Sequence, residues 1–366
     1  MIQLKGTYNQ AKVFTKVLEE TAAMQIKELL EQEFVQGLKI RIMPDVHAGA
    51  GCTIGTTMTL KDKVVPNLVG VDIGCGVEVV ELGTKKPDYR ALDEVIKRNI
   101  PSGFKTRRNP HRFLEHVPLD QLLCKEKAKI NLDRARKSLG TLGGGNHFIE
   151  IGEDEEGRFY LLIHSGSRNI GLQVAQYYQG LAQKNHKNTS LPRDLAYLEA
   201  KEAKNYLHDM AIMQCYAQWN RRAIAQEILE AMSLDSLGRF STIHNYIDVE
   251  AGILRKGAVS AKEGEIFLLP INMRDGSFIC RGKGNADWNF SAPHGAGRLL
   301  SRTQARKELS LKEFKRAMEG IYTTSAGSRT LDEAPKAYKE VADILEQVEP
   351  TLEVLHHLKV GYNYKG

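Results

Sequence analysis

The sequence predicts a mixed α+β fold, built as one large domain over residues 1–366. Three observations carry this reading. Strand-like apolar runs and helical patterns do not alternate in strand–helix–strand order, which disfavours a doubly wound sheet. Glycines cluster at 49–55, 70–76, 140–145, 164–171 and 282–297, beside short apolar runs, as at strand-to-loop transitions. No linker, repeat or composition break separates one glycine site from the next, so a single domain is expected.

The elements follow in order. Val13, Val17, Ile26, Leu29, Leu30 and Phe34 stand at mostly helical spacing and predict a helix within 10–34. Residues 38–43 alternate as a strand does. Residues 64–65 and 68–71 predict strands before a glycine loop, and 77–82 one after it. Residues 159–163 form a short, wholly apolar run that reads as a buried strand ending at His164. A long proline-free stretch predicts a helix over 193–232. Strands are expected at 266–269 and 277–280, and helices at 311–320 and 336–348.

Hydrophobic residues make up 42% of the chain, enough to build a core and to exclude wholesale disorder. No apolar run is long enough to span a bilayer, and the N-terminus lacks the basic-then-apolar pattern of a signal peptide. The five cysteines are odd in number and scattered, so a disulfide scaffold is not expected and the cytoplasm is the expected compartment. A net charge of +6 permits an anionic partner without demanding one.

The residues that carry chemistry gather at the glycine sites. Asp72 and Cys75 lie three apart in Val71-Asp-Ile-Gly-Cys-Gly76. Of eleven histidines, His47, His147, His164, His244 and His294 stand in or beside polar, mostly glycine-rich loops. Several imidazoles at such junctions, with a carboxylate and a thiol, suggest a metal centre. Thiolate and imidazole favour zinc by softness, whereas a carboxylate and phosphate oxygens favour Mn2+ or Mg2+. The residues taken singly also fit a buried structural cysteine and ordinary loop histidines. Glycines at 140–145 and 295–297 expose backbone N–H groups suited to phosphates, though neither segment matches a P-loop. Arg168, Arg298 and Arg302 stand beside these loops, as a polyanionic substrate would require. A helix starting after His294 would put Arg298 and Arg302 on one face.

Taken in order, these segments resemble the RtcB family of GTP-dependent RNA ligases over essentially the whole chain. The resemblance rests on Pro44-Asp-Val-His-Ala-Gly-Ala-Gly51, Val69-Gly-Val-Asp-Ile-Gly-Cys-Gly76, Gly140-Thr-Leu-Gly-Gly-Gly-Asn-His-Phe148, His164-Ser-Gly-Ser-Arg168, His244-Asn245, Ala292-Pro-His-Gly-Ala-Gly-Arg298 and Lys365-Gly366. It implies a cytoplasmic enzyme that joins an RNA 3′-phosphate, or an opened 2′,3′-cyclic phosphate, to a 5′-hydroxyl through a GMP–histidine intermediate. His294 is the implied nucleophile. Asp72, Cys75, His147, His164 and His244 are the implied ligands of two Mn2+ ions, with the thiolate bridging. Asn146, Phe148, Glu150, Asn245, Asn272, Met273, Ser277, Gly295, Ala296, Gly297, Tyr338 and Lys365 are the implied GTP contacts. Glu150 is placed to accept from the guanine N1–H and amino group. Arg168, Arg298 and Arg302 are implied along the RNA phosphates, and Asp45 and His47 behind the reacting groups. Implied partners are broken tRNA or rRNA and an archease-type activator, with no membrane.

One segment departs from the family. Many members carry Pro-Gly-Ser-Met-Gly near the nucleotide, and this chain reads Pro270-Ile-Asn-Met-Arg-Asp-Gly276. The chain is also compact for the family, which points to RNA repair rather than tRNA splicing. The altered segment leaves room for a metal-dependent nucleotidyltransferase or phosphoesterase of other specificity, such as a DNA 3′-phosphate capping enzyme. A non-catalytic RNA-binding paralogue is disfavoured because His294 and every implied ligand are present.

Overall fold

The computed structural model describes every residue from Met1 to Gly366 and shows a mixed α+β architecture. A seven-stranded antiparallel sheet runs, edge to edge, Ile266–Asn272, Gly276–Gly282, Leu352–Lys365, Phe148–Glu153, Phe159–Ser165, Gly76–Gly83 and Gly238–Ile243. A six-stranded sheet runs Ile2–Lys5, Gln10–Val13, Ile40–His47, Ile54–Thr59, Ile253–Lys256 and Asn245–Asp248, with one parallel pairing, Gln10–Val13 against Ile40–His47. A two-stranded ribbon, Ala258–Ser260 with Ser291–Pro293, delivers His294.

The run at 159–163 is apolar throughout because its strand is covered on both faces. Phe159, Leu161 and Ile163 pack with Ile224 and Ile228 of the helix Ala200–Met232. Tyr160 and Leu162 point the other way, to Leu268, Ile279 and Leu358. Each fully buried aliphatic side chain here contributes about 1.5–3 kcal/mol. The period of two also sets the site. His164 follows Leu162 onto the second face, and Phe148 and Glu150 share it, while Ile149 and Ile151 face the helix. The 33-residue helix Ala200–Met232 thus backs the sheet from the side opposite the chemistry.

Several expectations are corrected. The helix near the N-terminus covers only Glu20–Leu30. Val13 belongs to a strand and Val17 is 79% exposed, so the helical spacing across 13–34 mixed two kinds of element. Val64 makes one bridge, to Leu198, and residues 66–68 form a 3-10 turn instead of a strand. Pro66 opens that turn and has no N–H to give a ladder. The long helix begins at Ala200, and the later ones are Leu311–Ala317 and Val341–Val348. Two helices, Tyr89–Asn99 and Arg168–Asn185, and the 14-residue strand Leu352–Lys365 were not legible. That strand carries His356, His357 and Lys359 and gains its conformation from neighbours on both edges. None of the five cysteines is in a disulfide, and no helix is long and apolar enough to cross a membrane.

Candidate active site

The site forms where three loops converge above the seven-stranded sheet. The turn 72–75 precedes Gly76–Gly83, the glycine segment 140–147 precedes Phe148–Glu153, and 164–167 links Phe159–Ser165 to the helix Arg168–Asn185. Two adjacent residues of the long helix pin all three. Asn220 accepts from the Gly140 and Thr141 N–H groups at 2.8 and 3.1 Å and donates to Thr141, Ser165 and Gly166. Arg221, fully buried, donates through one nitrogen to the carbonyls of Gly74 at 2.9 Å and Ser165 at 3.0 Å. Sequence reasoning missed both, since a polar pair in a long helix looks like any solvated turn.

The converging donors form two overlapping triads, Cys75–His164–His244 and Asp72–Cys75–His147, with the sulfur in both. Cys75 Sγ lies 3.3 Å from His164 Nε2 and 3.5 Å from His147 Nε2, and Asp72 Oδ2 lies 3.1 Å from His147 Nε2. His164 Nδ1 faces the Asn146 carbonyl at 3.1 Å. A carbonyl only accepts, so Nδ1 carries the proton and the Nε2 lone pair points at sulfur. His147 Nδ1 meets both the Leu142 carbonyl at 3.0 Å and the Arg168 guanidinium at 3.2 Å, while its Nε2 faces Asp72 and Cys75. A thiol, a carboxylate and three imidazoles brought this close form a donor set that fits a metal.

The electrostatics agree. Burial holds the His164 and His244 imidazoles well below their ordinary value, keeping them neutral, as metal coordination would need. Burial raises the Asp72 carboxyl, but the His147 hydrogen bond and the charges of His147 and Arg168 outweigh it and hold it at about 2. Burial and the Asp72 charge push the Cys75 thiol well up, so in the metal-free protein it stays protonated and a bound cation would be needed to ionise it.

His294 lies beside this cluster, its ring 4.8 Å from that of His244. Buried Asp45 accepts from His294 through one oxygen, from the backbone N–H at 3.1 Å and Nδ1 at 2.6 Å. In the neutral ring Nε2 is therefore the lone-pair nitrogen, and 20% of the side chain is exposed. Gly297 permits this packing: at φ +75°, a Cβ would sit 2.4 Å from the Asp45 carbonyl oxygen. His47 Nδ1 bonds the Asp45 carbonyl at 2.9 Å, and burial pushes that imidazole down to about 4.

One cleft gathers all but three of the sequence-predicted site residues, from His47, Asp72 and Cys75 to Tyr338 and Lys365, with Asp45, His147 and Arg168 outside its lining. At one end Phe148 lies beneath Lys365, whose nitrogen is 5.3 Å from the ring centre. Glu150 is buried beside Ser277 and Asn363, and burial raises its carboxyl to about 7 against the pull of Asn363, Lys365 and Ser277. Asn363 donates to Glu150 Oε2 at 2.7 Å, leaving Glu150 Oε1, Ser277 Oγ and Asn363 Oδ1 buried without partners. Such groups are costly unless a polar ligand satisfies them. Asn363 was missed, although strand period places it on the face of Lys365.

Other placements differ from expectation. Arg298 and Arg302 do not share a helix face, because the helix Arg302–Glu308 starts after the Ser301 cap and leaves Arg298 in the loop. Arg298 is spent on protein acceptors: Leu300, Asp332, Glu333 and Tyr338. Arg302 uses only one nitrogen, 2.6 Å from Asp332 and 2.7 Å from Glu333, and is 43% exposed. Glu333, also missed, takes Lys365 at 2.7 Å; burial raises its carboxyl, but Lys365 and Arg302 hold it at about 2. Arg168 reaches behind His147 across Gly143, where any Cβ would overlap its guanidinium at 1.9–2.1 Å. Asn245 turns its side chain to Asp72 O and Gly257 N. Asn272 bonds within its own turn, to Arg274 and Asp275, while Met273 is buried with Phe314 and Met318. The charges of the unusual segment 270–276 cancel locally, in a 2.6 Å Arg274–Asp275 pair.

An open cleft that sets a carboxylate-oriented histidine beside a thiol–imidazole–carboxylate cluster defines a protein with a candidate metal centre and a candidate reactive histidine. A family model described as tRNA-splicing ligase RtcB matches residues 25–133 and 115–366. The RNA-splicing ligase RtcB of Escherichia coli K12 is 33% identical over 97% of this chain and 97% of its own length. The tRNA-splicing ligases RtcB of Nanoarchaeum equitans and Archaeoglobus fulgidus are 28% and 29% identical over 92% and 91% of this chain, and 90% and 88% of theirs. The chain belongs to the RtcB family. The alignment with the Escherichia coli protein runs to 397 positions against 366 residues here, so this chain is shorter within the aligned region.

Proposed function

We propose that this chain is an RNA ligase that joins an RNA 3′-phosphate, or a 2′,3′-cyclic phosphate once opened by water, to a 5′-hydroxyl, using GTP and Mn2+. The observation that carries this reading is the free, aimed Nε2 of His294 beside the shared-sulfur cluster. His294 Nε2 attacks the α-phosphorus of GTP, a phosphorus–nitrogen bond forms, and pyrophosphate leaves. The RNA 3′-phosphate takes GMP from the histidine, and the 5′-hydroxyl then attacks the activated phosphorus and expels GMP. Asp45 holds the ring and stabilises its cationic form after attack. Two Mn2+ ions held by Asp72, Cys75, His147, His164 and His244 would supply positive charge against the phosphates. Phe148, Glu150, Ser277 and Asn363 form the base pocket, where the unpartnered oxygens suit guanine donors. Arg302 keeps two guanidinium nitrogens for RNA, whereas Arg298 builds the wall.

The natural job fits repair of broken tRNA or rRNA in the cytoplasm, with an archease-type activator as part of the same proposal. The Arg274–Asp275 pair leaves the altered segment without net charge toward the cleft, which supports this reading over another nucleotidyl-transfer specificity. The test is incubation with α-labelled GTP and Mn2+, followed by nicked RNA bearing 3′-phosphate and 5′-hydroxyl ends. Acid-labile label on the protein and sealed RNA are expected. A protein that takes no label, or that seals only 3′-hydroxyl/5′-phosphate ends, would end this reading.

A further inference from the structure

We propose that the loop around Phe104 is a stacking platform for a base of the RNA strand entering the active site; this rests on the RNA-ligase reading above. Phe104 is 94% exposed, more than any other large apolar side chain of the chain. A phenylalanine ring held in water gains nothing from folding, so its surroundings decide what it can do. Residues 98–112 carry Arg98, Lys105, Arg107, Arg108 and Arg112 and not one Asp or Glu. Arg107 and Arg112 pair with Glu227 and Glu230 on the long helix, but Lys105 and Arg108 have no carboxylate partner. Arg134, from the helix Leu132–Ser138, also lacks one and donates to the Phe104 carbonyl at 2.8 Å.

The loop is joined to a segment that carries a residue of the site. Gly103 N–H donates to the Gly143 carbonyl at 2.9 Å, and Ser102 bridges Gly143. That glycine segment leads through exposed Gly145 and Asn146 directly into His147 of the cluster. An exposed ring among unpaired cations is the combination that binds single-stranded nucleic acid: bases stack on the ring while lysine and arginine meet the phosphates. The cationic setting favours a polyanionic strand over an apolar protein partner.

The test uses the full chain and a 3′-phosphorylated single-stranded RNA carrying 2-aminopurine near that end. Phe104→Ala should bind it about 5- to 100-fold more weakly and lose the 2-aminopurine quenching, with GMP loading and melting temperature unchanged; Phe104→Trp should restore both. Lys105→Ala with Arg108→Ala should flatten the salt dependence of binding by about 0.7 log unit per lost cation. If wild type binds and seals RNA while Phe104→Ala matches it in affinity and quenching, the platform is overturned and the rim is left to a protein. If wild type neither takes GMP nor binds RNA, the ligase reading falls and this inference with it.

Discussion

The Asp45 carboxylate grips His294 twice, through its backbone N–H and, at 2.6 Å, through Nδ1. This pairing fixes the tautomer and leaves only Nε2 to react. Asp45→Asn keeps the shape of the pair but offers the ring an amide that also supports the wrong tautomer. It should slow formation of the GMP adduct by about two to four orders of magnitude with the melting temperature little changed. His294→Ala should abolish the adduct at normal metal content. Acid-labile GMP on the His294→Ala protein would move the nucleophile elsewhere.

Cys75 is the one residue common to both triads. Cys75→Ala should therefore lower Mn2+ content and stop both GMP loading and ligation. Elemental analysis and labelling check this together. Unchanged metal content with full activity would make Cys75 a structural thiol.

Glu150 gives a pH dependence with a definite sign. Its carboxyl sits at about 7, raised chiefly by burial. Guanine donors need the carboxylate, so GTP binding should strengthen as pH rises through that value and level off above it. In the empty protein the same raised value means the reverse for stability. The folded state holds the proton more tightly, so Glu150 costs stability increasingly from the ordinary glutamate range up to about 7, then no further. Glu150→Gln should flatten both profiles and weaken the preference for GTP over ATP. Binding isotherms at several pH values with each nucleotide would show whether it does.

Arg302 and Arg298 should separate cleanly. Arg302→Ala should load GMP at near-normal extent but ligate poorly at low salt, a loss of about 1.5–3 kcal/mol of RNA affinity that narrows as salt rises because one phosphate contact is gone. Arg298→Ala removes a buried guanidinium that satisfies four partners and should instead lower thermal stability. An Arg302→Ala protein that fails to load GMP would place this side chain in the nucleotide site.

The Asn220–Arg221 pair predicts a remote effect on the metal. Asn220→Ala strands buried backbone groups of Gly140, Thr141 and Gly166 and the Ser165 hydroxyl, and should cost about 3 kcal/mol or more. Mn2+ affinity should fall with it, because the loops bearing His147 and His164 lose their shared anchor. Thermal unfolding with and without Mn2+ distinguishes this from a local defect: the metal-induced rise in melting temperature should shrink. An unaltered rise would show that the loops hold the donors without Asn220.

The cluster was legible because several of its donors sit in short, chemically unusual motifs, such as a thiol between glycines and a histidine after a glycine run, whereas His244 in Ile-His-Asn-Tyr was placed by the family resemblance. Phe148 and Glu150 entered the expected nucleotide site only through the family resemblance. Asn363 and Glu333 were not legible, since nothing local distinguishes an asparagine in an unrecognised strand or a glutamate in a 3-10 turn. Both acquire meaning from partners more than thirty residues away, Glu150 for one and Arg302, Arg298 and Lys365 for the other.

By itself the sequence determined the fold class, the run buried on both sheet faces, the family resemblance and the donor types at the cluster. These depend on patterns of a few residues, where period and chirality dictate which side chains share a face. Only the tertiary structure decided that Asp45 orients His294, that Arg298 serves the wall while Arg302 keeps free donors, and that one helix anchors three ligand loops. Those relationships join residues far apart in the chain, and hydrogen-bond direction and burial exist only after the sheets and helix have packed.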